Sequence, residues 1–144
     1  MLDHDWIAAH IPHQGRMCLL DAVLDWSDTT IVCRADSHTA ADHPLRADGR
    51  LGIAAGIEYA AQAMAVHGVL LAPAAQPPRL GYLTSVRGVQ MHAARLDDLA
   101  GALEVRAERL SGDATLILYR FQVLHEDRCL LDGRASVVLD AEAL

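Results

Sequence analysis

The sequence predicts an α+β domain in which one curved antiparallel sheet wraps around a single long central helix. Three observations predict this class. A long apolar stretch of helix-forming residues follows Gly52. Four later stretches alternate apolar and polar residues with a period of two, and the connections between them leave no room for helices. At 144 residues, 52% of them hydrophobic, the chain has the size and composition of one folded unit, so we assign residues 1–144 to a single domain.

The first fifty residues contain a short N-terminal element and one predicted strand. Residues 29–36 alternate apolar and polar side chains, which is typical of a half-buried strand. The stretch 17–25 is mixed in character and predicts no regular element. Turn signals at Ile11-Pro12 and Asp42-His43-Pro44 bracket this region.

The central helix is predicted to begin at Gly52 and to end before Pro73, with Pro77-Pro78 as a further stop. Its residues are small and apolar nearly all round, as expected for a helix that is covered on most sides. The stretch also carries polar side chains, at Glu58, Gln62 and His67 among others, which makes it a poor membrane span and a good buried helix.

The second half of the chain is predicted to form four strands in meander order. The strands are expected at 81–91, 103–108, 116–123 and 129–139. The interruptions at 111–113 and 126–128 are short enough for antiparallel hairpins. One edge and the outer face of such a sheet remain open, so we expect a dimer.

Charge and cysteine content exclude several classes of function. All 12 basic residues are arginines against 19 acidic ones, and the net charge of −7 argues against a general nucleic-acid binder or a polybasic membrane-surface protein. The three cysteines form no C-x-x-C pair, which favours a reducing compartment. The N-terminus has no basic region followed by an apolar stretch. We therefore expect a cytoplasmic protein without a secretory signal.

No metal or cofactor site is predicted. The pairs His10 with His13 and His38 with His43 come without a third ligand at a characteristic spacing. No nucleophile elbow is present, and the glycines near the helix start lie outside any βαβ unit.

Glu58 is the principal candidate for catalysis because it is an acidic residue within an apolar helix. Gln62 lies four residues later, on the same helix face, where it can hydrogen-bond the carboxylate. Burial among apolar neighbours would raise the pKa of Glu58 and suit it to donate a proton at neutral pH. The alternative is that Glu58 and Gln62 form the solvated stripe of the helix.

His43 is the second candidate, as a loop histidine that precedes the helix and has the chemistry of a general base. Because the chain has eight histidines, a structural role is an open alternative for any one of them. Gly52 and Gly56, where the helix begins, would let a substrate approach the exposed backbone N–H groups.

Two motifs resemble those of the hot-dog-fold β-hydroxyacyl-acyl-carrier-protein dehydratases. The opening Ile11-Pro12-His13, with Arg16-Met17 and Leu19-Leu20-Asp21 after it, is similar to the first segment of that family. Glu58-Tyr59-Ala60-Ala61-Gln62 resembles its helix motif, and His43 precedes Glu58 by about the family's spacing. The stretch Gly56 to His67 looks most like the predicted dehydratases of aryl-polyene and xanthomonadin-type pigment clusters.

The resemblance implies a reaction and a set of roles. His43 would remove the α-proton of a 3-hydroxyacyl thioester, and Glu58 of the other subunit would protonate the departing hydroxyl. Gln62 would hold Glu58, and backbone N–H groups at the helix start would polarise the thioester carbonyl. The family has Phe-Pro-Gly after the histidine, whereas this chain has Pro44-Leu45-Arg46. His13 is therefore a second candidate to lie beside Glu58, as a support or as a replacement base.

The resemblance also implies partners and rivals. The substrate would arrive on the phosphopantetheine arm of an acidic acyl carrier protein, for which a local basic rim is expected. The assembly would be a homodimer or a heterodimer with a related dehydratase. The alternatives are a hot-dog thioesterase that uses Glu58 to activate water, and a non-catalytic subunit of such a heterodimer. The arginines considered for the basic rim are Arg46, Arg50, Arg79 and Arg87.

Overall fold

Seven strands and two helices make up the part of the chain that the computed structural model describes, which comprises residues 1–72, 81–113 and 115–139. The helices are α1 (His4–His10) and α2 (Gly56–Leu71). The strands are β1 (Leu2–Asp3), β2 (Ala22–Trp26), β3 (Thr30–Ala35), β4 (Gly81–Met91), β5 (Leu103–Gly112), β6 (Leu116–His125) and β7 (Arg128–Leu139).

All seven strands belong to one antiparallel sheet in the order β1-β2-β3-β5-β6-β7-β4, and α2 packs against β3, β5 and β6. The core lies between the helix and the sheet, because every second residue from Leu103 to Ala107 on β5 and from Ile117 to Val123 on β6 is buried there. The predicted class, an antiparallel sheet around one long helix, is confirmed. The arrangement is that of the hot-dog fold.

The meander prediction is wrong for β4. Of the four strands predicted as a meander, β5, β6 and β7 follow one another as neighbours, whereas β4 pairs with β7 at the far edge of the sheet. The edge of β5 is already taken by β3 along six paired residues. The segment between β4 and β5 instead binds the residues that precede the central helix. The N–H of Leu96 donates to the Leu51 carbonyl at 2.9 Å, and the N–H of Leu51 donates to Asp97 at 3.0 Å.

The sequence predicts one short N-terminal element of unstated type before the first strand, whereas the structure has β1, α1 and β2 there. Helix α1 is only seven residues long, and its buried residue is Ile7. Asp3 caps it by accepting a hydrogen bond from the N–H of Trp6 at 3.0 Å. Strand β2 shifts register against β3 between Val23 and Asp25, so its residues do not alternate in the simple pattern that predicts a strand.

The central helix begins four residues later than expected, after a 3₁₀ turn at Ile53–Ala55. Gly56 is required there by packing, because a Cβ at this position would lie 2.7 Å from Cδ2 of Leu131 on β7. The stretch Ile53–Leu71 has the length and mean hydropathy, 1.2, of a membrane span, yet half of its most apolar window is buried inside the fold. A core helix meets the same criteria, so this feature is weak evidence for a membrane. The stops at Pro73 and Pro77-Pro78 lie outside the described residues.

Both predicted hairpins are present. Strands β6 and β7 are joined by Glu126 and Asp127, which both have positive φ values, 48° and 66°. A two-residue turn with positive φ at both positions matches the right-handed twist of the strands. The hairpin also contains a bulge: Val123 pairs with Leu131 and Leu124 with Cys129, which leaves Leu130 as an extra residue of β7.

Candidate active site

A pocket of about 410 Å³ lies between α2 and the sheet. Its walls are largely apolar, and its histidines and its carboxylate come from the end of α1, the loop after α1 and the first turn of α2. Beside Glu58 and His13, the lining residues include Ala61, Ala65, Gly68, Val69, Tyr82, Leu83, Ile117, Tyr119 and Val137.

One face of α2 forms the floor of the pocket. Glu58, Ala61, Ala65 and Gly68 are separated by three or four residues, so they lie in one line along the helix. Ala61 and Ala65 have small side chains and Gly68 has none. The space that they leave continues the pocket from the Glu58 carboxylate toward the end of the helix. At 1.5 Å per residue, the ten steps from Glu58 to Gly68 correspond to about 15 Å of helix.

Glu58 is paired with His13. The Nε2 atom of His13 lies 3.0 Å from Oε1 of Glu58, and the two side chains are 26% and 32% exposed. The structure thus brings Glu58 beside His13 of its own chain, as the second candidate assignment expected. The ring Nδ1 of His13 is sheltered from solvent and has no hydrogen-bond partner among the described residues.

The pKa of Glu58 is lowered, which contradicts the expectation of a raised value. The hydrogen bond from His13 is the largest cause; burial acts in the opposite direction, and the hydrogen bond from Gln62 lowers the pKa further. Glu58 is therefore a carboxylate in the resting protein at neutral pH.

Gln62 is anchored from three sides and holds Glu58 in place. Its amide Nε2 donates to Oε1 of Glu58 at 3.2 Å and to the Met17 carbonyl at 2.6 Å. Its Oε1 accepts a hydrogen bond from the N–H of Leu19 at 2.9 Å. The side chain is fully buried, so the contact that the four-residue spacing predicts is present in a fixed geometry.

His43 does not reach the pocket. It is buried, its Nδ1 accepts a hydrogen bond from the N–H of Leu45 at 3.1 Å, and its Nε2 lies 3.0 Å from the hydroxyl of Tyr59. Because Nδ1 is an acceptor here, Nε2 carries the proton and donates to Tyr59. Burial lowers the pKa of His43, and the charge of Arg46 lowers it further.

The hydrogen bonds of His43 continue as a directed chain to the loop that supports Gln62. The Tyr59 hydroxyl lies 2.7 Å from Oγ of Ser37, and Ser37 donates to the carbonyl of Leu19 at 2.9 Å. The N–H of the same Leu19 donates to Gln62. His43 is thus connected to Glu58 through the backbone of Leu19, and both of its ring nitrogens are occupied within its own chain.

Neither glycine proposed for substrate binding lines the pocket. Gly52 is exposed and forms a bridge with Arg95 in the segment after β4. Gly56 is buried against Leu131, and this packing accounts for the glycine.

The arginines considered for a basic rim have different surroundings. Arg46 is bound to Asp97 and to the carbonyls of Ala40 and Gly49, so its guanidinium is already engaged within the fold. Arg50 and Arg87 are exposed. Arg79 lies outside the described residues.

The sequence did not identify the sheet side of the pocket. Strands β4, β6 and β7 line this side of the pocket with Tyr82, Leu83, Ile117, Tyr119 and Val137. The period of two predicted that Ile117 and Tyr119 point inward, but no local pattern indicates that a space remains in front of them. That space depends on the small residues of α2, which lie about fifty residues away in the sequence.

Known proteins resemble this chain in family and in fold. A family model described as ApeP dehydratase matches residues 6–143. The structure of the dehydratase heterocomplex ApeI:P from Xenorhabdus doucetiae superposes with a TM-score of 0.81 at 22% identity, covering 95% of this chain and 92% of that one. A mutant thioesterase from Staphylococcus aureus gives 0.61 at 13% identity, over 82% and 91% of the two chains. A hypothetical thioesterase with coenzyme A from Streptococcus pneumoniae gives 0.56 at 12%, over 82% and 84%. Among curated proteins, no sequence matches.

Proposed function

The chain belongs to the ApeP-like dehydratase family, and we propose that it removes water from 3-hydroxyacyl thioesters held on an acyl carrier protein, giving trans-2-enoyl thioesters. The observation that carries this proposal is the pair formed by Glu58 and His13, 3.0 Å apart at the polar end of an apolar pocket. A 3-hydroxyacyl chain likewise has a polar end and an apolar end: its reacting carbons lie near the thioester, and an apolar tail lies beyond them.

The elimination needs one proton taken from C2 and one proton given to the hydroxyl on C3. Neighbouring groups on one wall can perform both transfers, because C2 and C3 are adjacent. The scheme begins with the pair in its charged form, an ionised Glu58 and an imidazolium at His13 that donates to it through Nε2. When an acyl chain displaces water from the pocket, the lower dielectric disfavours the separated charges, and the shared proton moves from Nε2 of His13 to Glu58.

The reaction then proceeds with His13 as base and Glu58 as acid. Nε2 of His13 first accepts the proton of the breaking C2–H bond, and the electron pair is delocalised into the thioester as an enolate. The enolate then collapses to form the C2=C3 double bond. The C3–O bond breaks as Glu58 gives its proton to the departing hydroxyl, which leaves as water. The pair returns to an imidazolium and a carboxylate, so its proton count is unchanged.

Gln62 acts as a positioning residue in this scheme. Its bonds to the backbone of Met17 and Leu19 fix the amide, and the amide fixes Oε1 of Glu58. The His43 chain supports the same Leu19 peptide. We assign His43 to this support, because its nitrogens are bound to Leu45 and Tyr59.

We propose that the working assembly is a dimer with a second hot-dog subunit along β4. This strand is an edge of the described sheet, is exposed along most of its length, and presents Tyr82 and Leu83 at the pocket with 48% and 41% exposure. A partner there would cover apolar surface and pair the open edge. The solved dehydratase heterocomplex ApeI:P is similar in fold and supports a related dehydratase as the partner.

We also propose a setting for this reaction. We place the reaction in the cytoplasm, in a pathway that builds a polyene or pigment by repeated extension of a carrier-bound chain. Such a pathway needs one dehydration for each double bond. The apolar groove along α2 supports a substrate whose tail lengthens from one cycle to the next.

A thioesterase is the rival reaction, since an ionised Glu58 also has the chemistry to activate water, and the two products are distinguishable. The purified chain, alone and together with a related dehydratase subunit, is incubated with a 3-hydroxyacyl carrier substrate. We expect absorbance of the conjugated enoyl thioester and no release of free thiol. Thiol release without enoyl product would assign the chain to hydrolysis.

Two variants make this assay specific for the site. Glu58→Gln keeps the shape and the hydrogen bond to Gln62 but removes the acid, and we expect it to lower the dehydration rate by about 10²–10⁴-fold. Glu104→Gln is the matched control, because Glu104 lies on β5, away from the pocket, in an ion pair with Arg106. If a complex with the partner subunit kept full activity with Glu58→Gln, this chain would be a non-catalytic subunit.

A further inference from the structure

We propose that His92, Cys129 and Asp132 form a binding site for a divalent transition metal of the zinc type. The three residues offer one nitrogen, one sulfur and one oxygen, and these ligand atoms all lie within 4.8 Å of one another. None of the three lines the pocket of Glu58. The inference is independent of the proposed dehydratase reaction.

The bulge in β7 creates this cluster. In a regular strand residues three apart, such as Cys129 and Asp132, would point to opposite faces. The extra residue Leu130 reverses the alternation, so that Leu130 and Leu131 are both fully buried. Cys129 and Asp132 consequently emerge side by side on the outer face. A bulge that redirects side chains in this way is a common feature near functional sites.

His92 completes the cluster from the neighbouring strand. It follows β4 directly, and its backbone N–H donates to the carbonyl of Leu130 at 2.8 Å. Its Nε2 lies 3.0 Å from Oδ2 of Asp132, and Sγ of Cys129 lies 3.6 Å from the same oxygen. The side chains are therefore already brought together by backbone pairing, without a metal.

Two of the three ligand spacings are close to those around a tetrahedral ion, and the third, between Cys129 and His92, is within 4.8 Å. With metal bonds of about 2.0–2.3 Å, ligand atoms around zinc lie roughly 3.3–3.6 Å apart. The Sγ to Oδ2 distance of 3.6 Å already agrees, and the Nε2 to Oδ2 distance of 3.0 Å would need to open by only a few tenths of an ångström. The His92 side chain is 44% exposed, which leaves its ring room to rotate.

The ligand chemistry selects the class of metal. A thiolate and an imidazole favour zinc, cobalt or copper over magnesium and calcium, which prefer oxygen ligands. Binding releases the thiol proton of Cys129, so thiolate and carboxylate together balance a charge of +2. The nearby guanidinium of Arg128 is bound to the carbonyl of His92 at 2.9 Å. Three protein ligands leave the fourth position open to solvent.

A metal at this position would tie the end of β4 to β7. Ligand binding to the folded state alone raises stability by mass action, so the site provides a readout that does not depend on catalysis. Wild-type protein is treated with a chelator, dialysed against Zn²⁺, and analysed for bound metal and for its melting temperature. We expect about one zinc per chain and a rise in Tm.

Cobalt and single substitutions identify the ligands. Co²⁺ bound to the wild type should give a thiolate-to-metal charge-transfer band, because Cys18 and Cys33 are buried in the core and Cys129 is partly exposed. Cys129→Ser should abolish the band, and His92→Gln or Asp132→Asn should weaken binding at least about tenfold, as changes even outside the ligand shell do at other sites. His125→Gln, on a histidine bonded to the Ala100 carbonyl, is the control and should bind as the wild type does.

The opposite results would overturn the proposal. If wild-type protein takes up no more zinc than a variant without all three ligands, the cluster is an ordinary hydrogen-bonded group. If zinc binds but Cys129→Ser leaves both the cobalt band and the Tm shift intact, the metal lies elsewhere on the chain. Both readouts are independent of the dehydratase assay, so failure here leaves the proposed function untouched.

Discussion

The imidazole of His43 donates a hydrogen bond to the hydroxyl of Tyr59 at 3.0 Å, and this contact holds the ring inside the core. Tyr59 follows Glu58 directly in α2, yet the side chain of Glu58 lines the pocket and that of Tyr59 does not. One turn of helix therefore serves two purposes. Glu58 meets His13 in the pocket, and Tyr59 binds the chain of hydrogen bonds that supports the loop beneath Gln62.

His43→Leu tests whether His43 supports the structure or acts on substrate. The change leaves the N–H of Leu45 and the hydroxyl of Tyr59 without their partner, and a buried unsatisfied group costs about 1–3 kcal/mol. We expect urea unfolding to report a loss of that size, while the folded variant at low temperature keeps kcat within about threefold. Tyr59→Phe, which removes the hydroxyl from the same chain, should behave alike. Unchanged stability together with abolished turnover would mean that His43 acts in catalysis.

The lowered pKa of Glu58 predicts how stability depends on pH. A carboxylate whose pKa is lower in the folded than in the unfolded chain stabilises the fold above its ordinary value of 4.5, and this contribution is lost as the pH falls through the folded value. The wild type should therefore lose stability relative to Glu58→Gln as the pH falls below about 4.5. Urea midpoints of both proteins across pH 3 to 7 measure this. A difference that does not change with pH would mean that the Glu58 pKa is not shifted.

His13→Gln should change the pKa of Glu58. The hydrogen bond from His13 is the largest cause of the lowered pKa, and burial remains when it is removed. The pKa of Glu58 should rise in the variant, as followed by the chemical shift of its carboxyl carbon during a pH titration. His10→Gln is a suitable control, since His10 bonds to the carbonyl of Trp6 and not to Glu58. An unaltered titration would mean that His13 does not lower the pKa of Glu58.

Gly68→Leu tests whether the groove along α2 receives the acyl tail. No atom lies within 4 Å of a Cβ built at Gly68, so a larger side chain enters the pocket without displacing the core. We expect KM to rise for long acyl substrates and to stay near the wild-type value for short ones. Gly68→Ala is the control for the change in helix propensity. An equal effect on both chain lengths would place the tail elsewhere.

Local patterns in the sequence predicted the parts of the fold that depend on neighbouring residues. The period of two located β4 at its observed limits, Gly81–Met91, and the four-residue spacing placed Gln62 beside Glu58. Strand β2 was missed because its register shift between Val23 and Asp25 interrupts the alternation. The position of β4 beside β7 depends on long-range pairing, which period and turn signals do not encode.

The sequence predicts only part of the site, because contacts between residues far apart in the chain leave no local pattern. Glu58 stood out because a charged residue is rare on an apolar helix. The sequence selects His43 as a loop histidine before the helix, and the family resemblance adds its spacing to Glu58. Its burial depends on Tyr59 and Leu45, which neither feature indicates. The expected rise in the Glu58 pKa considered burial alone, whereas the hydrogen bond from His13, 45 residues earlier in the chain, is the larger effect.

Proton exchange at C2, measured beside elimination, tests the central claim most directly. The 3-hydroxyacyl carrier substrate is incubated in deuterated water, and deuterium at C2 and enoyl product are both followed by mass spectrometry. With Glu58→Gln we predict continued exchange at C2 and little elimination, because the base His13 remains and the acid is gone. With His13→Gln we predict the loss of both. Elimination at the wild-type rate by either variant would contradict the assignment of this pair.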